Sequence, residues 1–147
     1  MRFRYPLQKI VDLKGSEKSM AEWEYAAALG QLHREEKKLG ELRAERRRAE
    51  EEMARLALSG VTLAELNNLQ YYIDALDLKI RIQEESVRDA GRLVEKRRQA
   101  LADKTVEEKV WLKARERAYE KFRCEMLIVE QNEIDEIALV RAARVRA

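Results

Sequence analysis

The sequence predicts an all-α protein in which two long helices fold back on each other as an antiparallel coiled-coil hairpin. Three observations lead there. Of 147 residues, 39% are charged and only 6% aromatic, with five Gly and a single Pro. Strands and turns draw on β-branched residues, Gly, Pro and Asn, whereas Ala, Leu, Glu, Lys, Arg and Gln are strong helix formers. One convincing break interrupts the chain, at Ser59-Gly60-Val61. On both sides of it, apolar residues follow the alternating three-and-four spacing of a coiled-coil seam.

The first element opens behind Pro6, which is tolerated in a first turn because its missing N–H would be unpaired there anyway. This helix is expected from about Leu7 to Leu58. Gly15, Gly30 and Gly40 weaken it by about 1 kcal/mol each relative to Ala, but no proline or turn cluster accompanies them to end it. The turn spans 59–62: Gly60 suits a left-handed cap, and Thr62 with Glu65 has the spacing of a capping box for the second helix. That helix is expected from about Leu63 to Leu139. Thr105 with Glu108 repeats the box and marks a weaker interruption. The whole chain, 1–147, reads as a single hairpin domain.

Pairing the two helices sets the register. Leu66, Ile73, Ile80, Val87, Val94 and Leu101 hold one seam position of the second helix, with Leu69, Leu76, Gln83, Ala90 and Arg97 at the other. Read backwards, Leu56, Met53, Ala49, Arg46, Leu42, Leu39, Glu35, Leu32, Ala28, Tyr25 and Ala21 oppose them. Leu56 then faces Leu66, Ala49 faces Ile73, and Ala28 faces Val94. Polar residues enter at Arg46, Glu35, Gln83 and Arg97, where they fix register at a cost in stability and snorkel to water. The hairpin is expected to be tightest at its tip and looser at its open end.

Thirty basic residues against 28 acidic leave a net charge of +2, so no strong field marks a nucleic-acid or membrane binder. Neither a signal-peptide core nor a membrane-length apolar run is present in the sequence. One cysteine and one histidine cannot build a Cys-cluster metal site or a Cys/His nucleophile pair, and no phosphate-binding loop is found. The expectation is a protein that is not an enzyme and holds no cofactor, metal or small-molecule substrate. His33 reads as a solvated surface residue, and Cys124, between Phe122 and Met126, as a small packed one. Arg46-Arg47-Arg48 and Arg97-Arg98 alternate with glutamates, the pattern of a solvated face rather than a phosphate-binding patch.

Two apolar features lie outside this seam. Tyr71 and Tyr72 sit beside it at the tip, either as a handle for a partner or as rings lying flat over the first helix. At the other end the register brings Leu7 opposite Arg115. Tyr119, Phe122, Met126, Val129, Ile134, Ile137 and Leu139 then continue as a stripe with no partner left in the chain. Such a stripe is expected to be covered by another molecule or by a bend in the chain, and to fray when alone.

The opening Phe3-Arg4-Tyr5-Pro6-Leu7-Gln8-Lys9, the tip Gly60-Val61-Thr62-Leu63-Ala64-Glu65-Leu66 and the ending Glu130-Gln131-Asn132-Glu133-Ile134-Asp135-Glu136-Ile137-Ala138 together resemble the flagellar export protein FliJ family over essentially the whole chain. The resemblance implies a cytoplasmic component of the flagellar type III export apparatus, similar to the central stalk of rotary ATPases. It implies three partners: a ring of the export ATPase FliI, the export gate FlhA, and export chaperones. The protein would lie at the cytoplasmic face of the membrane at the flagellar base, held there through partners only. On this reading Leu42, Tyr71, Tyr72 and Leu76 serve the gate at the tip side. Phe3, Tyr5, Tyr119, Phe122, Met126 and Val129 serve the ATPase ring at the open end. Two alternatives from other classes are an RNA-binding helical arm and a generic coiled-coil chaperone or scaffold.

Overall fold

The computed structural model describes residues 2–146 and contains two helices, α1 (Gln8–Leu58) and α2 (Leu63–Arg146), with no strand among the described residues. Residues 2–5 are irregular and Pro6-Leu7 form a turn that leads into α1. As expected, α1 runs unbroken through Gly15, Gly30 and Gly40. Neither difference in α2 disturbs the hairpin: the helix passes Thr105 without a break, and it continues to Arg146 rather than stopping near Leu139. Ala and Arg dominate its last turns, and both are strong helix formers.

The reversal between the helices is built as its residues dictate. Gly60 has φ +77°, the left-handed conformation that side-chain-bearing residues avoid. The Ser59 amide and hydroxyl both donate to the Leu56 carbonyl, at 3.1 and 3.0 Å. The Glu65 amide donates to the Thr62 hydroxyl at 3.4 Å, capping the start of α2.

The chain forms two compact units, residues 20–102 and residues 2–19 with 103–146. In the first, the tip unit, the two helices pack along the expected seam. Ala49, Ile73 and Leu76 form its core, with Leu42, Met53 and Leu69 packed against them. Ala21, Ala28, Leu39, Ile80 and Ala90 are buried further along, and every other seam position named above is at least partly buried. Small residues opposite large ones bring the two helices close, so a narrow stripe is enough to exclude water.

Polar seam residues in this unit are satisfied rather than stranded. The Gln83 amide donates to both the main-chain carbonyl (2.9 Å) and the carboxylate of Glu35, while Leu39 is buried beside them. Arg46 reaches past the seam to donate to Asp77 and Glu50. Arg97 pairs with Glu24 at 3.3 Å. Among the described residues no buried side-chain nitrogen or oxygen lacks a partner.

The second, open-end unit holds together differently. Val11 is buried, and Ile10, Trp111 and Ala118 are partly buried. Between them the seam is ionic. Lys14 meets Glu107 at 3.4 Å, Lys18 meets Glu108 at 3.4 Å, and Lys104 meets Glu17 at 3.3 Å. A Cβ on Gly15 would lie 3.2 Å from the Glu108 carboxylate, so glycine at this position makes room for the ion pair.

Candidate partner-binding surfaces

In the tip unit, the four residues assigned to a gate-facing surface separate by burial. Leu76 is 1% exposed and sits inside the seam, so it supports the tip from within and offers no area to a partner. Leu42 is partly buried against the same core. The two adjacent tyrosines point differently because consecutive helical residues are about 100° apart. Tyr72 lies over α1, its hydroxyl donating to the Glu45 carboxylate, beside a shallow groove lined by Arg48, Ala49, Glu52 and Leu69. That hydrogen bond, with some burial, holds the phenol above its ordinary pKa. Tyr71 is 70% exposed and makes no such contact. Of the two readings left open for the pair, the exposed one describes Tyr71, whereas Tyr72, itself 43% exposed, is tied to α1 through its hydroxyl.

Two apolar residues on the exposed side of the tip escaped the sequence reading. Leu78 and Ile82 are 59% and 61% exposed and share the face of Tyr71. Their signal was available: once seam positions are removed, Tyr71, Ala75, Leu78 and Ile82 still follow the spacing of a helical stripe.

In the open-end unit, four of the six residues assigned to a ring-facing surface, Phe3, Tyr5, Tyr119 and Phe122, are drawn together by the N-terminal segment. The Phe3 ring meets Tyr119 edge-on with centroids 5.3 Å apart and lies tilted on Phe122 at 5.3 Å. Tyr5 stacks with Phe3 at 6.5 Å. Arg115 is held over the Phe3 ring at 5.8 Å, its Nε donating to the Gln8 side chain at 2.7 Å. This corrects the expectation that everything beyond Arg115 lacks a partner in the chain. Phe3 precedes the helix and continues its register in irregular conformation, covering the first turns of the stripe. Met126 is partly buried, and from Leu127 onward the apolar residues are open: Leu127, Ile128, Val129, Ile134, Ile137, Leu139, Val140 and Val145 are all exposed.

The remaining chemistry is that of a solvated helix surface. Cys124 is exposed, against the expectation of a packed residue, because it lies on the side of α2 away from Phe3. His33 is exposed beside Glu36. Arg98 pairs with Glu95 and Arg55 with Glu52 along their own helices. Among the described residues no cluster of His, Cys, Asp or Glu has the arrangement of a metal site. Among the described residues no helix is long and apolar enough to cross a membrane.

Residues 3–147 match the family model described as flagellar FliJ protein. Over 139 residues the chain is 24% identical to the flagellar FliJ protein of Bacillus subtilis (strain 168), covering 95% of each sequence. It also superposes on the solved structure of a chain described as a YscO homologue from Chlamydia trachomatis, with a TM-score of 0.67 and 21% identity. That match covers 95% of this chain and 94% of the other, and at such identity the likeness is one of fold.

Proposed function

The chain belongs to the flagellar FliJ protein family, whose members are components of flagellar protein export, and we propose that within it the protein acts as a stalk. On this reading the open-end unit seats in a ring of the export ATPase FliI. The tip unit engages the export gate FlhA and escorts export chaperones. The protein supplies no chemistry of its own. It transmits the effect of ATP hydrolysis, performed by the ring, to the gate, and works at the cytoplasmic face of the membrane at the flagellar base. It reaches the membrane through these partners.

One observation carries the proposal: α2 runs to Arg146 with its apolar residues open from Leu127 onward. So many apolar side chains left open along one stretch of helix are favourable only when another molecule removes them from water. The RNA-arm alternative receives less support, because Arg46, Arg97 and Arg98 are engaged by carboxylates of the same chain. Affinity capture of the full chain from a motile bacterial lysate, read by mass spectrometry, tests the reading. The stalk requires the export ATPase among the captured proteins. Recovery of ribosomal or tRNA-processing proteins without it would favour the RNA arm instead.

A further inference from the structure

The outer face of α2 in the tip unit carries Tyr71, Ala75, Leu78 and Ile82, all exposed, at spacings of four, three and four residues. Asn68 and Glu85 stand at the next positions and close the stripe at either end. The short seam is symmetric in pattern. Reversed and laid on itself, it sets Tyr71 of one copy against Ile82 of the other and Ala75 against Leu78, a small residue opposite a large one. The flanking charges obey the same reversal. Asp74 lies beside the stripe on one edge, and Arg81 occupies the equivalent position one heptad later. In an antiparallel coiled coil those two positions oppose each other, so each Asp74 meets an Arg81 of the other copy, twice per dimer. Among the described residues Arg81, like Arg47 and Arg48 of the same unit, makes no side-chain hydrogen bond or ion pair, whereas Arg43, Arg46, Arg88, Arg92, Arg97 and Arg98 are paired; Asp74 accepts only from Gln70 of its own helix, at 2.9 Å.

We propose that this face binds a second copy of the chain, the two α2 helices meeting antiparallel about a two-fold axis between Leu76 and Asp77. A parallel pairing would set Asp74 against Lys79, but it opposes Ala75 to Ala75 and leaves Arg81 against Ser86, so it packs less well and satisfies only one of the two flanking charges. Four apolar positions per copy bury far less than the about 1,200 Å² at which stable interfaces begin, so the dimer is weak and concentration-dependent.

Sedimentation of the full chain over a concentration series, with reductant present so that the exposed Cys124 cannot link copies, tests the proposal. The weight-average mass is expected to climb above the 17.3 kDa of one chain. Leu78→Glu is expected to hold it at the monomer value. Asp74→Arg and Arg81→Asp each set like charges together and are expected to weaken association by about tenfold or more. An equimolar mixture of these two variants is expected to associate again, because each chain then presents the charges the other needs, and the double variant Asp74→Arg/Arg81→Asp restores self-association. All these positions are exposed, so circular dichroism should show unchanged helicity throughout. A monomer at every concentration would overturn the proposal. So would undiminished association of Leu78→Glu, which would place the contact elsewhere, on the open stripe after Leu127 for instance. Failure of the mixed variants to recover would overturn the antiparallel two-fold arrangement.

Discussion

Individual side chains divide this surface into those that hold the hairpin and those free to meet partners. Ile73 is 4% exposed and belongs to the tightest layer of the seam. Ile73→Asp removes that burial and places a carboxylate where no cation waits, so a loss of about 3–5 kcal/mol is expected. A circular dichroism melt within a degree or two of the parent would mean the seam is wrongly phased. Tyr72 tests the opposite case. Its ring is partly open and its hydroxyl is held by Glu45, so folding depends on it little. Tyr72→Ala is expected to leave helicity nearly intact while weakening affinity for the export gate several-fold, as calorimetry on the soluble gate domain would show. Unchanged affinity would assign the ring to hairpin support alone. Burial already makes that assignment for Leu76: it lies one turn from Tyr72 on the same side of the helix, but it points into the seam with Ala49 and Ile73 and is closed to a partner.

At the scale of elements, the tip unit was legible and the open end was not, for physical reasons. Between Ala21 and Leu101 the seam positions are mostly apolar, and a heptad rule reads apolar positions. In the open-end unit Lys14, Lys18, Lys104 and Glu108 occupy the seam and are satisfied by ion pairs across it, which leaves no hydrophobic periodicity to follow. Phe3 was missed as a cover because it lies before Pro6, outside any helical period, and Leu78 and Ile82 because attention to the seam hid a second stripe behind it. Two predictions test the open end. Phe3→Ala should increase amide hydrogen exchange around Tyr119 and Phe122 and leave the tip unit unchanged. Equal protection in both proteins would show that the aromatic contact does not order α2. The ionic seam adds a pH dependence. Hydrogen bonding to Lys14 holds the Glu107 carboxyl below its ordinary pKa, so its stabilising contribution is present above about 4.3 and fades as pH falls through the lowered value. Hydrogen bonding to Glu17 holds the Lys104 ammonium above its ordinary pKa. Its contribution is therefore present below about 10.4 and fades as pH rises through the raised value. Protection near Val11 and Trp111 should weaken at both extremes, and also at about 1 M salt, where the screening length is about 3 Å. A flat profile would mean these exposed pairs contribute nothing measurable.

The whole molecule has to reconcile a nearly neutral chain with a long apolar helix face. Thirty cations and 28 anions nearly cancel, so little net field remains to steer the protein to a polyanion. Specificity must then come from apolar contact and shape, which suits docking on folded protein partners better than binding to a charged polymer. If the open stripe of α2 is the surface that seats in the ATPase ring, its removal should separate coupling from folding. Truncation after Arg117 takes away Tyr119, Phe122 and everything beyond, and leaves Phe3 and Tyr5 without their cover. It spares the tip unit, whose core of Ala49, Ile73 and Leu76 draws on residues 20–102 alone. The truncated chain is therefore expected to keep a cooperative melt of its tip unit while losing stimulation of ATP hydrolysis by purified export ATPase. Full stimulation by the truncated chain would show that the ring reads another part of the molecule. Loss of the melt together with stimulation would show that the C-terminal segment is needed for folding, and the stripe would then lose its standing as a separable docking surface.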